Sequence, residues 1–442
     1  MRRATAELIV KDPNKFAHHD RVFLNNPVVM QGMGLAPLVV LATSGQNAVM
    51  LAVAVALLLV PSRVLACLLS RLVPLHDEDP APETLQKKLL PRALVYGFST
   101  AGVYLAVYPI LNILFSTSLL SLGIYLPLLT VEPLLTYRFG RVQETVRKAV
   151  SKGLRITVGY ALLLVLLGCV REWLAAGTMF GVVVSRPVLP MASMPAGGFI
   201  VLGVLCAVAC TGPKAQGISH QRGTQPCGCA FPEGGGPRTM RDVVTTSAVF
   251  FSYALLAVFA QNAVFTRALG VSRLVQLVGD DRTSSWLFGM QLCITQVLVT
   301  PFAWYAGSRI APLANRAQLR PLVYIASIAV VCVLEHAVLW LAKGLPHRSA
   351  LLRIVPLAGL NSCVLGTVLV ERTQSFTLGQ SLGFGLGSGL GYVLAVLLVT
   401  EARHRLRSKA IPKAFRGLPI TLVYIGVLAL AIYGFTGHSV IL

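Results

Sequence analysis

The stretch Asn25–Ala42, NNPVVMQGMGLAPLVVLA, indicates the fold, because it is strongly apolar yet interrupted by proline and glycine. A membrane-spanning helix needs about 20 apolar residues, and Pro or Gly inside such a run predicts a broken helix. The same spacing recurs in the second half, where Asn262 precedes Gly270 by eight residues, as Asn26 precedes Gly34. The stretch therefore predicts an internal repeat with a broken helix in each copy.

A second interrupted pair lies further along each half. Pro127 is followed after six residues by Pro133, and Pro356 is followed at the same distance by Ser362. Interrupted apolar segments at corresponding positions of two halves are the best sequence indication of a site at the centre of the membrane. We therefore predict that the interrupted segments of both halves converge on one site.

The composition of the whole chain is typical of a polytopic membrane protein. Of the 442 residues, 55% are hydrophobic and 12% charged, whereas soluble proteins carry about 25% charged residues, which excludes a soluble multidomain enzyme. Twelve apolar blocks are visible, six on each side of a polar stretch: 27–43, 46–73, 92–113, 117–136, 154–175, 193–210, 244–278, 284–306, 320–342, 350–370, 378–400 and 417–437.

The charge of the chain indicates a membrane surface rather than a nucleic acid. Lys and Arg number 38 against 17 Asp and Glu, a net charge of +21. The cations lie in short loops between apolar blocks, where cytoplasmic retention of positive loops and anionic lipid headgroups account for them. We therefore expect the lipid bilayer, and no nucleic acid, as the partner of these loops.

Several motifs resemble membrane subunits of the Rnf and Nqr complexes, in the expected order along the chain. Gly34–Leu38 (GLAPL) follows an Asn-Asn pair, as in the first helix of the Rnf E subunit, which is the Nqr D subunit. Ile411–Gly417 (IPKAFRG) and Gly434–Gly437 (GFTG) match the carboxyl end of the Rnf A subunit (Nqr E), and Asn361 with Val364–Gly366 matches its fourth helix. The first half therefore resembles the E-type subunit, while the second half resembles the A-type one.

The resemblance implies a fold and a cofactor. It implies an all-α polytopic membrane protein of two pseudo-symmetric, inverted six-helix units with broken first and fourth helices: an E-type unit at 1–210, a polar Gly- and Pro-containing linker at 211–242 and an A-type unit at 243–442. In the family, cysteines of the first and fourth helices contribute to an iron–sulfur centre between the units, and a [2Fe–2S] cluster requires four thiolates. The corresponding positions in this chain are Ala36, Pro133, Ser272 and Ser362.

None of these four residues supplies a thiolate. Cys363 follows the last position and is a possible residual ligand, although one step along a helix turns a side chain by about 100°. Two hypotheses remain: the cluster has been lost, or the register is shifted and Cys67, Cys293 or Cys332 substitute. We predict loss of the cluster, no cofactor bound by this chain and no metal site.

Polar residues at membrane depth are further candidates, because burying ionisable groups in a membrane is costly. Glu335 and His336 lie within one apolar block. Glu132 lies in the broken fourth block, where a carboxylate either binds a cation together with unwound backbone carbonyls or sits at the interface near a helix end. The candidate ion or polar site comprises Glu132, Glu335, His336, Asn25, Asn26, Asn262 and Asn361.

Three other features have simpler interpretations. The glycines at 383, 385, 387, 389 and 391 form two small-xxx-small faces, which predict close helix packing rather than nucleotide binding. Cys227 and Cys229 lack two further metal ligands, so a plain linker loop is favoured. Glu172 and Glu401 lie beside arginines at block ends, which favours surface or interface charges.

These observations lead to one functional hypothesis and one alternative. The resemblance implies a divergent, fused membrane subunit of an ion-translocating electron-transport complex in the inner (cytoplasmic) membrane of a prokaryote. Its partners would be other membrane, flavin and iron–sulfur subunits, its ion Na⁺ or H⁺, and it would be at most a translocase subunit without catalytic residues of its own. The alternative is a cluster-free transporter or a non-redox membrane scaffold, because a fold does not define a function.

Overall fold

The computed structural model describes an all-α protein with one two-residue β-hairpin. The described residues are 26–72, 82–132, 146–210, 241–279, 284–342, 344, 347–406 and 411–436. Three predicted features lie outside them: Asn25, Pro133 and the Cys227–Cys229 motif. The predicted linker also lies outside them up to residue 240, and its last two residues begin a helix.

The first half consists of seven described helices, two short strands and connecting 3-10 segments. The helices are α1 (Pro27–Gln31), α2 (Leu35–Leu41), α3 (Gly45–Leu72), α4 (Pro82–Phe115), α5 (Tyr125–Leu128), α6 (Val146–Ala176) and α7 (Pro195–Cys210). The 3-10 segments are Ser116–Leu122, Leu129–Val131 and Pro190–Ser193, and the antiparallel strands are β1 (Thr178–Met179) and β2 (Val182–Val183).

The second half consists of eight described helices and one 3-10 turn, Lys413–Phe415. The helices are α8 (Arg241–Val258), α9 (Val271–Gly279), α10 (Ser285–Ile310), α11 (Arg316–Leu341), α12 (Arg348–Gly359), α13 (Ser362–Thr373), α14 (Leu378–Arg405) and α15 (Leu418–Thr436). Six of the described helices, α3, α4, α6, α10, α11 and α14, are long and apolar enough to cross a membrane, and the bent pair α12–α13 has the length and composition of either a broken span or a re-entrant loop. The other predicted blocks contain shorter or broken helices.

Helix breaks occur where glycine and asparagine interrupt the apolar blocks. Gly32 and Gly34 have φ angles of 60° and 69°, a left-handed conformation that glycine adopts without steric cost, and they separate α1 from α2. In the second half, turns over residues 259–270 separate α8 from α9 and end at Gly270, with φ of 73°. The chain bends by 43° between α12 and α13, where Asn361 caps the second helix.

Equivalent elements of the two halves pack against one another. α7 packs on α15, α4 on α11 and α2 on α9, while α3 packs on α6 and α10 on α14 within the halves. One hydrophobic core extends through both halves. The outer faces expose large apolar side chains such as Ile113 (83% exposed) and Leu341 (72%), as expected of a surface in contact with lipid. The chain is therefore a multi-span membrane protein.

Glycines on α14 allow it to approach two neighbouring helices closely. A Cβ at Gly387 would overlap the carbonyl oxygen of Ala254 on α8, and a Cβ at Gly389 would lie 2.8 Å from Cys293 Sγ on α10. Because these glycines alternate along α14, one set faces α8 and the other faces α10. The two packing faces predicted from the glycine spacing are confirmed.

Candidate functional site

A buried polar cluster lies where the broken helices of the two halves meet. Ser272 Oγ donates a hydrogen bond to Glu132 Oε2 (3.2 Å) and accepts one from the Leu35 backbone N–H (3.0 Å). Ser362 Oγ accepts a hydrogen bond from the Gly270 N–H (3.1 Å), and its hydroxyl bonds to the Glu132 carboxylate. Glu132, Ser272 and Ser362 are all 1% exposed or less. We call these three residues the central cluster.

The central cluster contains the positions that the resemblance assigns to cluster cysteines. Ala36 is fully buried and follows Leu35, whose N–H binds Ser272. A methyl group and two hydroxyls hydrogen-bonded to a carboxylate do not fit a [2Fe–2S] cluster, which takes thiolate ligands. Glu132 is completely buried within the protein.

Cys363 points toward α14 rather than into the central cluster. Its Sγ lies 3.9 Å from Ser388 Oγ, whereas the preceding Ser362 bonds to Glu132. The described cysteines are free thiols. In the part of the chain that the structure describes, no three His, Cys, Asp or Glu side chains are placed to hold one metal ion.

The asparagines position the broken helices in a similar way in both halves. Asn26 Nδ2 donates to the carbonyl of Gly159 on α6 (2.9 Å), and Asn262 Nδ2 donates to the carbonyl of Gly391 on α14 (3.3 Å). Asn361 accepts a hydrogen bond from the backbone at the start of α13. All three side chains bind backbone groups, so their geometry is that of helix-positioning residues.

A tyrosine follows each of the two glycines that receive these hydrogen bonds. Tyr160 OH donates to the carbonyl of Gly34 (2.9 Å), and Tyr392 OH donates to the carbonyl of Gly270 (3.3 Å). A Cβ at Gly34 would lie 2.6 Å from the Tyr160 ring, and a Cβ at Gly270 would lie 2.6 Å from the Tyr392 ring. The Gly-Tyr pairs at 159–160 and 391–392 are a further element of the internal repeat, and the sequence shows them at corresponding positions.

Glu335 occupies a separate site between α10 and α11. Its Oε2 accepts hydrogen bonds from Gln291 Nε2 (3.0 Å) and Thr295 Oγ1 (2.9 Å), both on α10, and the residue is 8% exposed. The neighbouring His336 is half-buried, and its Nδ1 has no hydrogen-bond partner within the described ranges. The structure therefore does not bring Glu335 and His336 into the central cluster.

We expect Glu335→Leu to destabilise the protein and Glu335→Gln to leave it stable. Leucine removes the acceptor and leaves the Gln291 amide buried without it, which costs about 1–3 kcal/mol. Glutamine keeps an acceptor oxygen at the same position but removes the charge. Thermal unfolding in detergent measures the loss of stability in Glu335→Leu. The loss of charge in Glu335→Gln is measured by comparing how the melting temperatures of this variant and of the wild type depend on added cations. Equal melting temperatures for wild type and Glu335→Leu would contradict the structural role.

Glu172 is buried, which corrects its prediction as a surface or interface charge. It is 6% exposed and accepts hydrogen bonds from the Gly45 N–H at the start of α3 (2.7 Å) and from Gly181 N–H (2.8 Å) and Thr178 Oγ1 (3.0 Å) in the hairpin. The hairpin folds back over the end of α6, an arrangement that a position near the end of an apolar block does not reveal. Glu401 is 70% exposed, as predicted for a surface charge.

Arg171 is completely buried beside Glu172, and its guanidinium binds backbone carbonyls. It donates to two carbonyls at the end of α2 and three in the segment that leads into α7. These acceptors are Val39 (2.6 Å), Ala42 (3.0 Å), Ala192 (2.8 Å), Ser193 (3.0 Å) and Met194 (3.2 Å). A cation at the carboxyl end of α2 is also favoured by the helix dipole.

Two charged residues near these sites are not predicted from the sequence. Arg273 follows Ser272, and its positive charge acts on Glu132 in the central cluster. Glu371 is 1% exposed in the last turn of α13. It lies eight residues after Cys363. Residues four apart share a helix face, so this spacing in the sequence could have placed Glu371 on the same face as Cys363.

Comparisons with known proteins agree with this architecture. The profile of the Rnf-Nqr subunit family, described as a membrane protein, matches residues 16–206 and 250–439. The A subunit of the ion-translocating oxidoreductase complex of Syntrophotalea carbinolica is 31% identical over 183 residues, which are 41% of this chain and 93% of the relative. The A subunit of the Na(+)-translocating ferredoxin:NAD(+) oxidoreductase complex of Acetobacterium woodii is 30% identical over 188 residues, with coverages of 41% and 93%. The A subunit of the ion-translocating oxidoreductase complex of Yersinia enterocolitica is 34% identical over 183 residues, with coverages of 41% and 92%. The chain therefore belongs to the Rnf-Nqr family of membrane subunits and contains the family's domain twice.

Proposed function

We propose that this chain is a divergent, fused subunit of an ion-translocating electron-transport complex in which a buried carboxylate replaces the iron–sulfur cluster. The central cluster carries this proposal. Glu132, from the first half, bonds to Ser272 and Ser362, from the second half. These two serines stand where the resemblance places cluster cysteines, and the broken helices still converge around them.

The chemistry of the central cluster supports ion handling rather than electron relay. A carboxylate and two hydroxyls are hard groups that exchange protons or bind small cations, whereas iron–sulfur clusters select soft thiolates. Buried ionisable groups at membrane depth are functional by default. Electrons would then pass through flavin and iron–sulfur cofactors of partner subunits. The bacterial relatives support a location in the inner membrane of a prokaryote.

We expect the purified chain to contain no stoichiometric iron. Anaerobic purification, iron and acid-labile sulfide determination, and low-temperature electron paramagnetic resonance after dithionite reduction measure this directly. A [2Fe–2S] ferredoxin carried through the same procedure controls for cluster loss during handling. About two irons per chain with a matching sulfide content, the composition of one [2Fe–2S] centre, would contradict the proposal.

A cluster-free transporter is the second candidate, and the buried Glu132 carboxyl group fits it too, because ion binding there requires no redox cofactor. Such a protein needs no redox partners, whereas the first candidate requires them. Gentle solubilisation of native membranes followed by affinity purification of the chain distinguishes the two. Stoichiometric recovery of flavin- or iron-containing subunits supports the electron-transport complex, and recovery of the chain without them supports the transporter.

A further inference from the structure

A row of buried polar side chains extends from beside the central cluster to the end of α13. Cys363, Thr367 and Glu371 are spaced four residues apart, so they lie on one face of the helix. Ser388 Oγ of α14 lies 2.7 Å from Thr367 Oγ1 and 3.9 Å from Cys363 Sγ. With a rise of 1.5 Å per residue, Glu371 lies about 12 Å from Cys363 along the axis, roughly 40% of a hydrocarbon core of about 30 Å.

α10 contributes two more polar residues to this row. The Thr300 hydroxyl donates its one proton to the backbone carbonyl of Gln296, one turn earlier (3.0 Å). Its oxygen lies beside the Glu371 carboxyl group. A Cβ at Gly385 would lie 2.5 Å from Thr300 Oγ1 and 3.5 Å from Glu371 Oε1, so α10, α13 and α14 meet closely at this point. We call the set the polar row: Cys363, Thr367, Glu371, Ser388, Gln296 and Thr300.

Several polar atoms along the row are buried without a protein partner among the residues described. Gln296 is fully buried, and neither its amide nitrogen nor its amide oxygen is hydrogen-bonded. Glu371 Oε1 likewise has no hydrogen-bond partner. Buried groups of this kind are commonly satisfied by ordered water. Water supplies both donors and acceptors, whereas a metal cation would leave the Gln296 amide nitrogen unsatisfied.

The charges around Glu371 leave its carboxylate without an ion pair in the described structure. Arg372 is adjacent on α13 and its positive charge acts on Glu371, but its side chain is turned by about 100° and bonds to Tyr324 on α11. α10 and α14 present the hydroxyl of Thr300 and the glycine Gly385. Burial without an ion pair favours the neutral, protonated form of this carboxyl group.

We propose that Glu371 is a proton-binding site at the entrance of a hydrated half-channel that leads along the polar row to the central cluster. A proton from water at the α13–α14 turn binds the Glu371 carboxylate. On release it passes through water and hydroxyl groups of the row to the Glu132 carboxylate, and a second proton from outside restores Glu371. This inference rests on the proposed ion-translocating role and assigns the proton as the ion.

Infrared difference spectroscopy of the full-length purified chain in lipid nanodiscs tests the proposal. We expect a carbonyl-stretch band of a protonated carboxylic acid that shifts to lower frequency in D₂O, because the acid exchanges its proton through the hydrated row. The band is lost in Glu371→Gln and retained in Glu401→Gln, a matched control at an exposed glutamate. Glu371→Asp keeps an acid and moves the band, which preserves the test if the glutamine variant does not fold.

Three results would overturn the proposal. The band persists unchanged in Glu371→Gln and in Glu371→Asp; or it does not shift in D₂O; or it disappears when NaCl replaces choline chloride at constant ionic strength, which would identify a Na⁺ site. The iron content of the same samples shows independently whether the chain binds an iron–sulfur cluster. A failure of this inference is therefore distinguishable from a failure of the proposed function.

Discussion

Arg171→Met is expected to prevent stable folding of the first half. The substitution keeps an unbranched apolar side chain but removes all the donors that bind five backbone carbonyls. The Met194 carbonyl keeps a hydrogen bond from the Gly198 N–H, so four acceptors lose their partner. A buried acceptor left unsatisfied costs about 1–3 kcal/mol, so four together cost about 4–12 kcal/mol, comparable with the whole stability of a typical domain. Thermal unfolding of the detergent-solubilised protein, with limited proteolysis, measures the loss.

One further variant separates the hydrogen bonds of Arg171 from its charge, and a second variant serves as a control. Arg171→Lys keeps the charge but carries three donors on one nitrogen, which cannot reach both groups of carbonyls, so we expect an intermediate melting temperature. Arg186→Met removes an exposed arginine from the neighbouring loop and is expected to have little effect. A melting temperature of Arg171→Met equal to that of Arg186→Met would show that the buried guanidinium does not hold these segments together.

Gly387→Ala is expected to separate α8 from α14 and to destabilise the second half strongly. The added methyl group meets the backbone carbonyl oxygen of Ala254. A backbone atom cannot move aside by a change of rotamer, so the helices themselves have to separate. Overpacking by one carbon costs about 1–3 kcal/mol even where side chains are able to adjust, so a backbone clash is expected to cost at least this amount. The melting temperature and the yield of monodisperse protein measure the effect.

The control for this prediction lies on the same helix. Gly379→Ala adds a methyl group at the start of α14, where nothing lies within 4 Å. Alanine is favoured over glycine in a helix by about 1 kcal/mol, so this variant is expected to be neutral or slightly more stable. If both variants behave alike, the close approach of α8 and α14 does not depend on the missing side chain.

Features encoded by local spacing are the ones that the sequence predicts well. The breaks near Gly34 and Gly270 follow from glycine in apolar blocks, and the packing faces of α14 follow from alternating glycines. The convergence of Ser272 and Ser362 on one centre follows from the internal repeat and the family resemblance. In the first two cases a short-range pattern contains enough information to fix the conformation or the face, whereas the convergence of the serines is predicted from the repeat and the resemblance.

Features that depend on several distant segments are the ones that escape prediction. The burial of Glu172 requires the hairpin to fold back over α6, and nothing in the local sequence specifies that contact. Glu371 falls one residue beyond a predicted apolar block, and its environment is formed by α10, α13 and α14 together. Tertiary packing of this kind decides which polar residues are buried, and it is not visible in periodicity alone.

The central cluster is assembled from both halves of one polypeptide, which has a consequence for how the protein is made. Glu132 comes from the first half, and Ser272 and Ser362 come from the second. In separate polypeptides the carboxylate and the serines would meet only by a concentration-dependent encounter. A covalent connection makes that encounter intramolecular and gives each half a high effective concentration of the other. Fusion therefore fixes an equal ratio of the two halves and makes formation of the cluster independent of expression level.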